Sequence, residues 1–252
     1  MLLSDTALNH QVPIMKYLTV MITLGLGLGS VAAHAEISAD LAATSDYVWR
    51  GVSQTLGHPA VQGGVNFSHA SGAYAGIWAS NVNFFDPDAP DADPADDDKA
   101  TVEVDYNLGL SGATAQELNW DVGVYRYTYP GAVKALLDSS EEYYAGATYH
   151  WAGLKLYRDF DSHANYLQAD VVATLPHELD LTAHVGRYRL SDSPDYSDYC
   201  LTLSGTTHGV DIALSYTDTT MNKGRCLDFS GATNLCDGRL VLTLSKHFGN
   251  DD

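Results

Sequence analysis

The sequence predicts an all-β protein, an antiparallel up-and-down transmembrane β-barrel of about twelve strands. Three observations predict it. After Ala35, apolar and polar residues alternate with period two along most of the chain, and a strand sends successive side chains to opposite faces. The connections between these segments alternate between long and short, the rhythm of a barrel with tight turns at one end and loops at the other. Helical spacing is scarce, with Ala132–Leu137 the best candidate, and no window after Ala35 holds a long uncharged apolar run.

The first 35 residues read as an export signal to be removed. Met15-Lys16 precedes the apolar stretch Tyr17–Gly29, and Ala33-His34-Ala35 follows. A basic start, an apolar core and an A-x-A pattern come in the order a secretory signal peptide needs. The apolar part is too short and Gly-rich for a spanning helix of ~20 residues. Met15 is an alternative start to Met1. The remaining 36–252 read as a single barrel domain.

Twelve strand segments are expected in it: 37–50, 60–69, 73–84, 100–110, 118–129, 142–151, 153–160, 165–175, 179–189, 196–203, 209–217 and 239–248. The clearest is Thr101–Leu110. Val102, Val104, Tyr106, Leu108 and Leu110 form one face; Glu103, Asp105 and Asn107 stand on the other. The same division recurs around Trp120 and Asp121, Leu167 and Asp170, Leu181 and Asp180, and Ile212 and Asp211. A water-soluble β-sandwich also alternates, but acidic residues near the middle of strand faces suit a wet lumen better than a dry core. Tyr47, Trp49, Tyr74, Trp78, Trp120, Tyr127, Tyr129, Tyr143, Trp151, Tyr188, Tyr199 and Tyr216 lie near strand ends, where interfacial aromatic girdles belong.

Composition narrows the class further. The 32 acidic and 13 basic residues give a formal net charge of -19. Nucleic acid is excluded as a partner, because phosphate binding needs clustered Lys and Arg. With 45% apolar residues and 16 Tyr, the chain is too apolar and aromatic to be a disordered acidic protein.

Ala43-Thr44-Ser45-Asp46-Tyr47-Val48-Trp49-Arg50-Gly51-Val52-Ser53-Gln54-Thr55, then Pro59–Gly64 and Gly76-Ile77-Trp78-Ala79-Ser80-Asn81-Val82, form a series that resembles the proteobacterial TorF-like porin family, also called Gcw_chp. Tyr127–Ala132, Tyr143-Tyr144, Asp195–Tyr199 and Leu214–Thr219 are looser echoes. The resemblance implies a Gram-negative outer-membrane barrel and no catalytic residues. The tail Gly249–Asp252 after Phe248 departs from the terminal aromatic with which such barrels usually end.

Several constellations are candidates for chemistry. Asp40, Glu103, Asp105, Asp121, Asp170, Asp180 and Asp211 are expected to line the pore, with Arg50, Lys155 and Arg158 as an opposing basic ladder. Acidic rings favour cations and repel anions. Asp86, Asp88, Asp91, Asp93, Asp96, Asp97 and Asp98 crowd one loop with Pro87, Pro90 and Pro94. That loop reads as a solvated acidic surface, with a weak divalent-cation site as the alternative, since it lacks the ligand order of an EF-hand. Cys226 and Cys236 share the last long loop. Three cysteines allow three pairings; a Cys226–Cys236 disulfide with Cys200 free is the preferred one, and two free thiols in the loop the alternative. No G-x-S-x-G or H-E-x-x-H motif occurs, and His184 and Asp180 stand ~13 Å apart along one strand.

The expected function is therefore that of an outer-membrane porin or narrow diffusion channel for ions and small solutes, cation-preferring, without a cofactor and not an enzyme. Both termini would be periplasmic. Outer-membrane lipid, lipopolysaccharide and the barrel-assembly machinery would be its partners. A structural or surface-interaction barrel with a plugged lumen is the second reading, and a barrel enzyme the third.

Overall fold

Alternation commits each segment to a two-faced strand, and the strands satisfy their backbone groups by pairing. The computed structural model describes residues 35–84, 100–132, 139–191 and 193–249. It contains β1 (Ala35–Thr44), β2 (Val48–Trp49), β3 (Val52–Ser53), β4 (Ala60–His69), β5 (Ala73–Asn81), β6 (Val102–Ala113), β7 (Leu118–Thr128), β8 (Ser140–Tyr149), β9 (Ala152–Asp159), β10 (Asn165–Leu175), β11 (Leu179–Arg189), β12 (Tyr196–Thr207), β13 (Val210–Thr219), α1 (Lys223–Ser230) and β14 (Arg239–Phe248). Twelve of the strands close a barrel in the order β1-β14-β13-β12-β11-β10-β9-β8-β7-β6-β5-β4, with β4 returning to β1. Every neighbouring pair is antiparallel. A closed cylinder leaves no edge of unpaired N–H and C=O groups, which is what a strand protein in lipid requires.

The faces are inverted relative to a soluble sandwich. Leu41, Val65, Ile77, Leu108, Leu154, Val185, Leu201 and Leu242 are exposed on the outside, while Gln62, Glu103, Asp105, Gln168, Asp198 and Thr217 are buried inside. An apolar belt turned outward fits acyl chains, and the barrel is a transmembrane one on that ground. The tight connections 70–72, 114–117, 150–151, 176–178 and 208–209 lie at one end, where Ala35 pairs with His69 and where Phe248 also stands. The described parts of the longer connections, 45–59, 82–84, 100–101, 129–132, 139, 160–164, 190–191, 193–195 and 220–238, lie at the other.

The structure corrects four expectations about these elements. The first wall strand ends at Thr44, not 50, because side chains compete for the backbone there: Thr44 Oγ1 donates to Asp46 O at 2.9 Å. Residues 45–59 then fold into the lumen as the β2–β3 hairpin. The strands β6 and β12 run on to Ala113 and Thr207, since pairing with β7 and β13 overrides the weak strand propensity of their Ser, Gly and Thr residues. A helix occurs where none was expected, at α1. Asn222 Oδ1 caps it by accepting from Arg225 N, and Gly231 ends it with φ 78°. Most of the helical candidate Ala132–Leu137 lies outside the described residues, as does nearly all of the proposed signal peptide.

The fourth correction concerns the aromatics. Trp120, Tyr143, Trp151, Tyr199 and Tyr216 are exposed, with Tyr106, Tyr149 and Phe160 beside them. Tyr47, Tyr127 and Tyr188 are buried, and Trp49, Tyr74, Trp78 and Tyr129 are packed against the same interior cluster. Parity along each strand, not nearness to its end, decides which face a ring joins.

Substituting a lipid-facing residue should reveal the inversion. Val185→Arg, halfway along β11 on the exposed face, is expected to cost about 2–4 kcal/mol if it falls near the bilayer midplane. Urea titration of the protein refolded into lipid vesicles measures it; an unchanged midpoint would place that face away from lipid.

Candidate functional site

The lumen is lined by the inward half of twelve strands, and its two ends differ. At the loop end the hairpin fills it. The strands β2 and β3 are joined by Arg50-Gly51, with φ of 48° and 80°, the type I′ turn that a two-residue hairpin favours. Arg50 in the left-handed region costs about 1–2 kcal/mol, which its side-chain contacts offset. A Cβ on Gly51 would run into Thr219 Cγ2 and touch Asp198 Cβ. The tip therefore abuts β12 and β13, and only glycine fits there.

Asp46 braces the hairpin's base. It accepts from Ser53 Oγ at 2.6 Å and Thr55 Oγ1 at 2.9 Å. Its other oxygen pairs with Arg239 Nη1 of β14 at 2.7 Å. Ser53 N donates to Leu235 O at 2.9 Å, tying the hairpin to loop 220–238. In that loop Cys226 and Cys236 are bonded, with the sulfurs 2.05 Å apart. Cys200 is free and buried.

Arg50 reaches across the lumen to Glu142 of β8. Nη1 donates to Oε1 at 2.8 Å and Nη2 to Oε2 at 2.7 Å. Tyr127 Oη donates to Oε2 at 3.0 Å and so helps fix the carboxylate. The guanidinium carbon lies 4.0 Å from the ring centre of Tyr166, 4.3 Å from Trp49, 4.7 Å from Tyr188 and 5.2 Å from Tyr157. Planar two-point pairing and attraction to ring faces are what guanidinium does well. The rings form a ribbon across β7 to β12: Tyr125–Tyr144 at 5.1 Å, Tyr144–Tyr157 at 5.7 Å, Tyr157–Tyr166 at 6.0 Å, Tyr166–Tyr188 at 5.8 Å and Tyr188–Tyr196 at 5.6 Å.

Towards the short-turn end, charged groups pair between strands. His184 of β11 stands between two carboxylates, with Nδ1 2.7 Å from Asp170 Oδ1 and Nε2 3.0 Å from Asp198 Oδ1. Tyr166 Oη donates to Asp198 at 2.9 Å. Lys155 Nζ of β9 is 3.4 Å from Asp121 Oδ2 of β7, and Tyr74 Oη donates to Asp121 at 2.5 Å. Asp40 of β1 is 2.8 Å from His247 Nδ1 of β14. Nearer the opening, Asp180 accepts from Thr174 Oγ1 at 2.8 Å, and Asp211 accepts from Thr206 Oγ1. Among the described residues, no set of three or more His, Cys, Asp or Glu side chains is arranged to hold a metal ion.

Asp40, Glu103, Asp105, Asp121, Lys155, Asp170, Asp180 and Asp211 thus all sit on the inward face, but at different depths. Glu103 and Asp105 are buried at the loop end, whereas Asp211 is exposed at the opening. The expected basic ladder does not form. Arg50 rides on the inserted hairpin, not the wall. Arg158 shares the outward parity of Leu154 and Leu156; it donates to His163 O at 2.9 Å and lies over Phe160. Glu142, Asp159 and Asp198 are inward acids that the sequence reading missed. The pairing of Asp170 with His184 was findable, since the short turn 176–178 fixes the register that sets them opposite. The acidic loop Asp86–Asp98 lies outside the described residues.

A family model described as a bacterial protein of unknown function, Gcw_chp, matches residues 29–248. No curated protein matches the chain significantly. Similar solved structures include the KdgM porin, at TM-score 0.54 and 6% identity over 84% of this chain and 99% of that one. The KdgM porin in complex with disordered oligogalacturonate gives a TM-score of 0.53, with the same identity and coverage. At such identity the likeness is one of fold.

Removing one partner of a buried ion pair strands the other. Arg50→Ala is expected to lower stability by about 3–5 kcal/mol, seen as a reduced urea midpoint. Combining it with Glu142→Ala should cost less than the two single changes summed, by about 1–3 kcal/mol. Strict additivity would show that the two groups do not interact.

Proposed function

We propose, for a chain that belongs to the Gcw_chp family of bacterial proteins of unknown function, the role of an outer-membrane porin. It is a narrow, cation-preferring conduit for ions and small solutes. The single observation that carries this reading is the inverted barrel, apolar outside and rich in carboxylates within. Of the inward acids, Asp180 and Asp211 stand near the short-turn opening, at the periplasmic mouth of the path. Carboxylates along a confined path concentrate cations and repel anions. The hairpin 45–59 narrows the loop end, so passage is limited to small species.

Export by the leader up to Ala35, delivery by the barrel-assembly machinery, and residence among outer-membrane lipid and lipopolysaccharide complete the proposal. Both termini then face the periplasm, and the long loops face outward. The porin character carried by the TorF-like label belongs to the same proposal.

The filled loop end favours a second reading. Tyr47, Val52, Tyr196, Met221, Leu235 and the disulfide belong to one continuous buried cluster, as the loop end of a plugged structural barrel would have. Planar-bilayer recording of the refolded chain separates the two. A conducting pore is expected, with K⁺ passing more readily than Cl⁻ at about 0.1 M salt, where screening acts over ~10 Å. Asp180→Asn with Asp211→Asn should lower that preference. Anion selectivity would overturn the cation reading, and a silent bilayer would decide for the plug.

A further inference from the structure

The geometry points to a guanidinium-binding site on the inner wall, for which Arg50 is the built-in occupant and from which guanidinium-bearing solutes displace the hairpin tip. It deepens the porin reading by naming a solute class. The wall supplies all of the recognition except one ring. Glu142 offers two oxygens to two parallel N–H donors, at 2.8 and 2.7 Å. Tyr157, Tyr166 and Tyr188 surround the cation from three adjacent strands, β9, β10 and β11. Only Trp49 comes from the hairpin itself. These wall residues belong to the sheet and keep their places if the tip leaves.

The occupant, by contrast, is held on a short turn. The first central position of a type I′ turn favours Asn, Asp or Gly. Arg50 takes it with φ 48°, so the residue there answers to the demands of its side chain, not to those of the turn. A primary ammonium carries the same charge but lacks the planar pair of donors, so it fits Glu142 less well. The site therefore ranks guanidinium above alkylammonium, and both above sodium. A solute that enters the cage faces the tethered Arg50 as a competitor, so wild-type protein binds it weakly.

The test fills the vacated cage from solution. Full-length mature chain is refolded in detergent, and guanidinium chloride is titrated at concentrations well below denaturing ones. Tryptophan fluorescence reports occupancy, because Trp49 lies against the cage; urea and sodium chloride serve as controls. Arg50→Ala is expected to bind guanidinium at least tenfold more tightly than wild type, a difference within the reach of one charge-assisted pair. Adding Glu142→Gln should abolish that gain. If Arg50→Ala does not refold, Arg50→Lys keeps a charged tip and is also expected to bind guanidinium more tightly than wild type. Folded Arg50 variants that show no saturable, Glu142-dependent response would overturn the proposal. The readout needs no conductance: binding with a silent bilayer sinks only the porin reading, and conductance without binding sinks only this one.

Discussion

Closure of the sheet is the constraint from which the rest of this structure follows. Twelve strands pair with two neighbours each, so the wall spends its N–H and C=O groups on itself. Once the cylinder is closed, strict alternation leaves two surfaces and no choice about them. One is a continuous apolar exterior that includes Leu108, Leu154 and Val185; the other is an interior that buries charged and polar side chains such as Glu142, Asp198 and Arg50. A polar group with no partner in such an interior is costly. The interior answers with pairs: Arg50 with Glu142, Arg239 with Asp46, Lys155 with Asp121, and His184 with Asp170 and Asp198.

These pairs change the meaning of the chain's acidity. Isolated carboxylates along a pore would act only on passing ions. Here many of them hold the structure, since Glu142 and Asp46 anchor the hairpin at its tip and base. The tyrosine ribbon adds a second layer, polar at its hydroxyls and apolar at its faces. A ring of that kind can lie against a neighbour and still donate to a carboxylate, as Tyr127 does to Glu142 and Tyr166 to Asp198. Close approach requires room, and bare backbone supplies it. A Cβ on Gly186 would collide with both Tyr166 Oη and the Asp198 carboxylate.

Alternation made the wall strands and their faces legible, and long-short loop rhythm made the barrel legible. Parity alone also separates Lys155 from Arg158, which differ by an odd number of residues and so cannot share a face of a regular strand. What local pattern does not carry is where a strand leaves the wall. Tyr47-Val48-Trp49 has the composition of a strand, and Val48–Trp49 does form one, but in a hairpin inside the cylinder. Its partner Glu142 is 92 positions from Arg50, and no local period links them. Register between adjacent strands lies between these cases: short turns fix it, so Asp170 opposite His184 could be read, whereas contacts across the lumen could not.

The inserted hairpin also constrains the order of assembly. The seam between β1 and β14 joins the first and last strands of the wall, with Thr243 Oγ1 bonded to Thr44 Oγ1 across 199 positions. Contacts so distant in sequence carry the largest loop-closure cost and form late. The hairpin begins immediately after Thr44 and lies within the cylinder that this seam completes. Residues 45–59 leave β1 at the loop end of that seam, so the pocket that receives them is complete only once the wall around it has closed. The barrel is filled by a part of itself, and the seam that completes the wall also completes the pocket for that part.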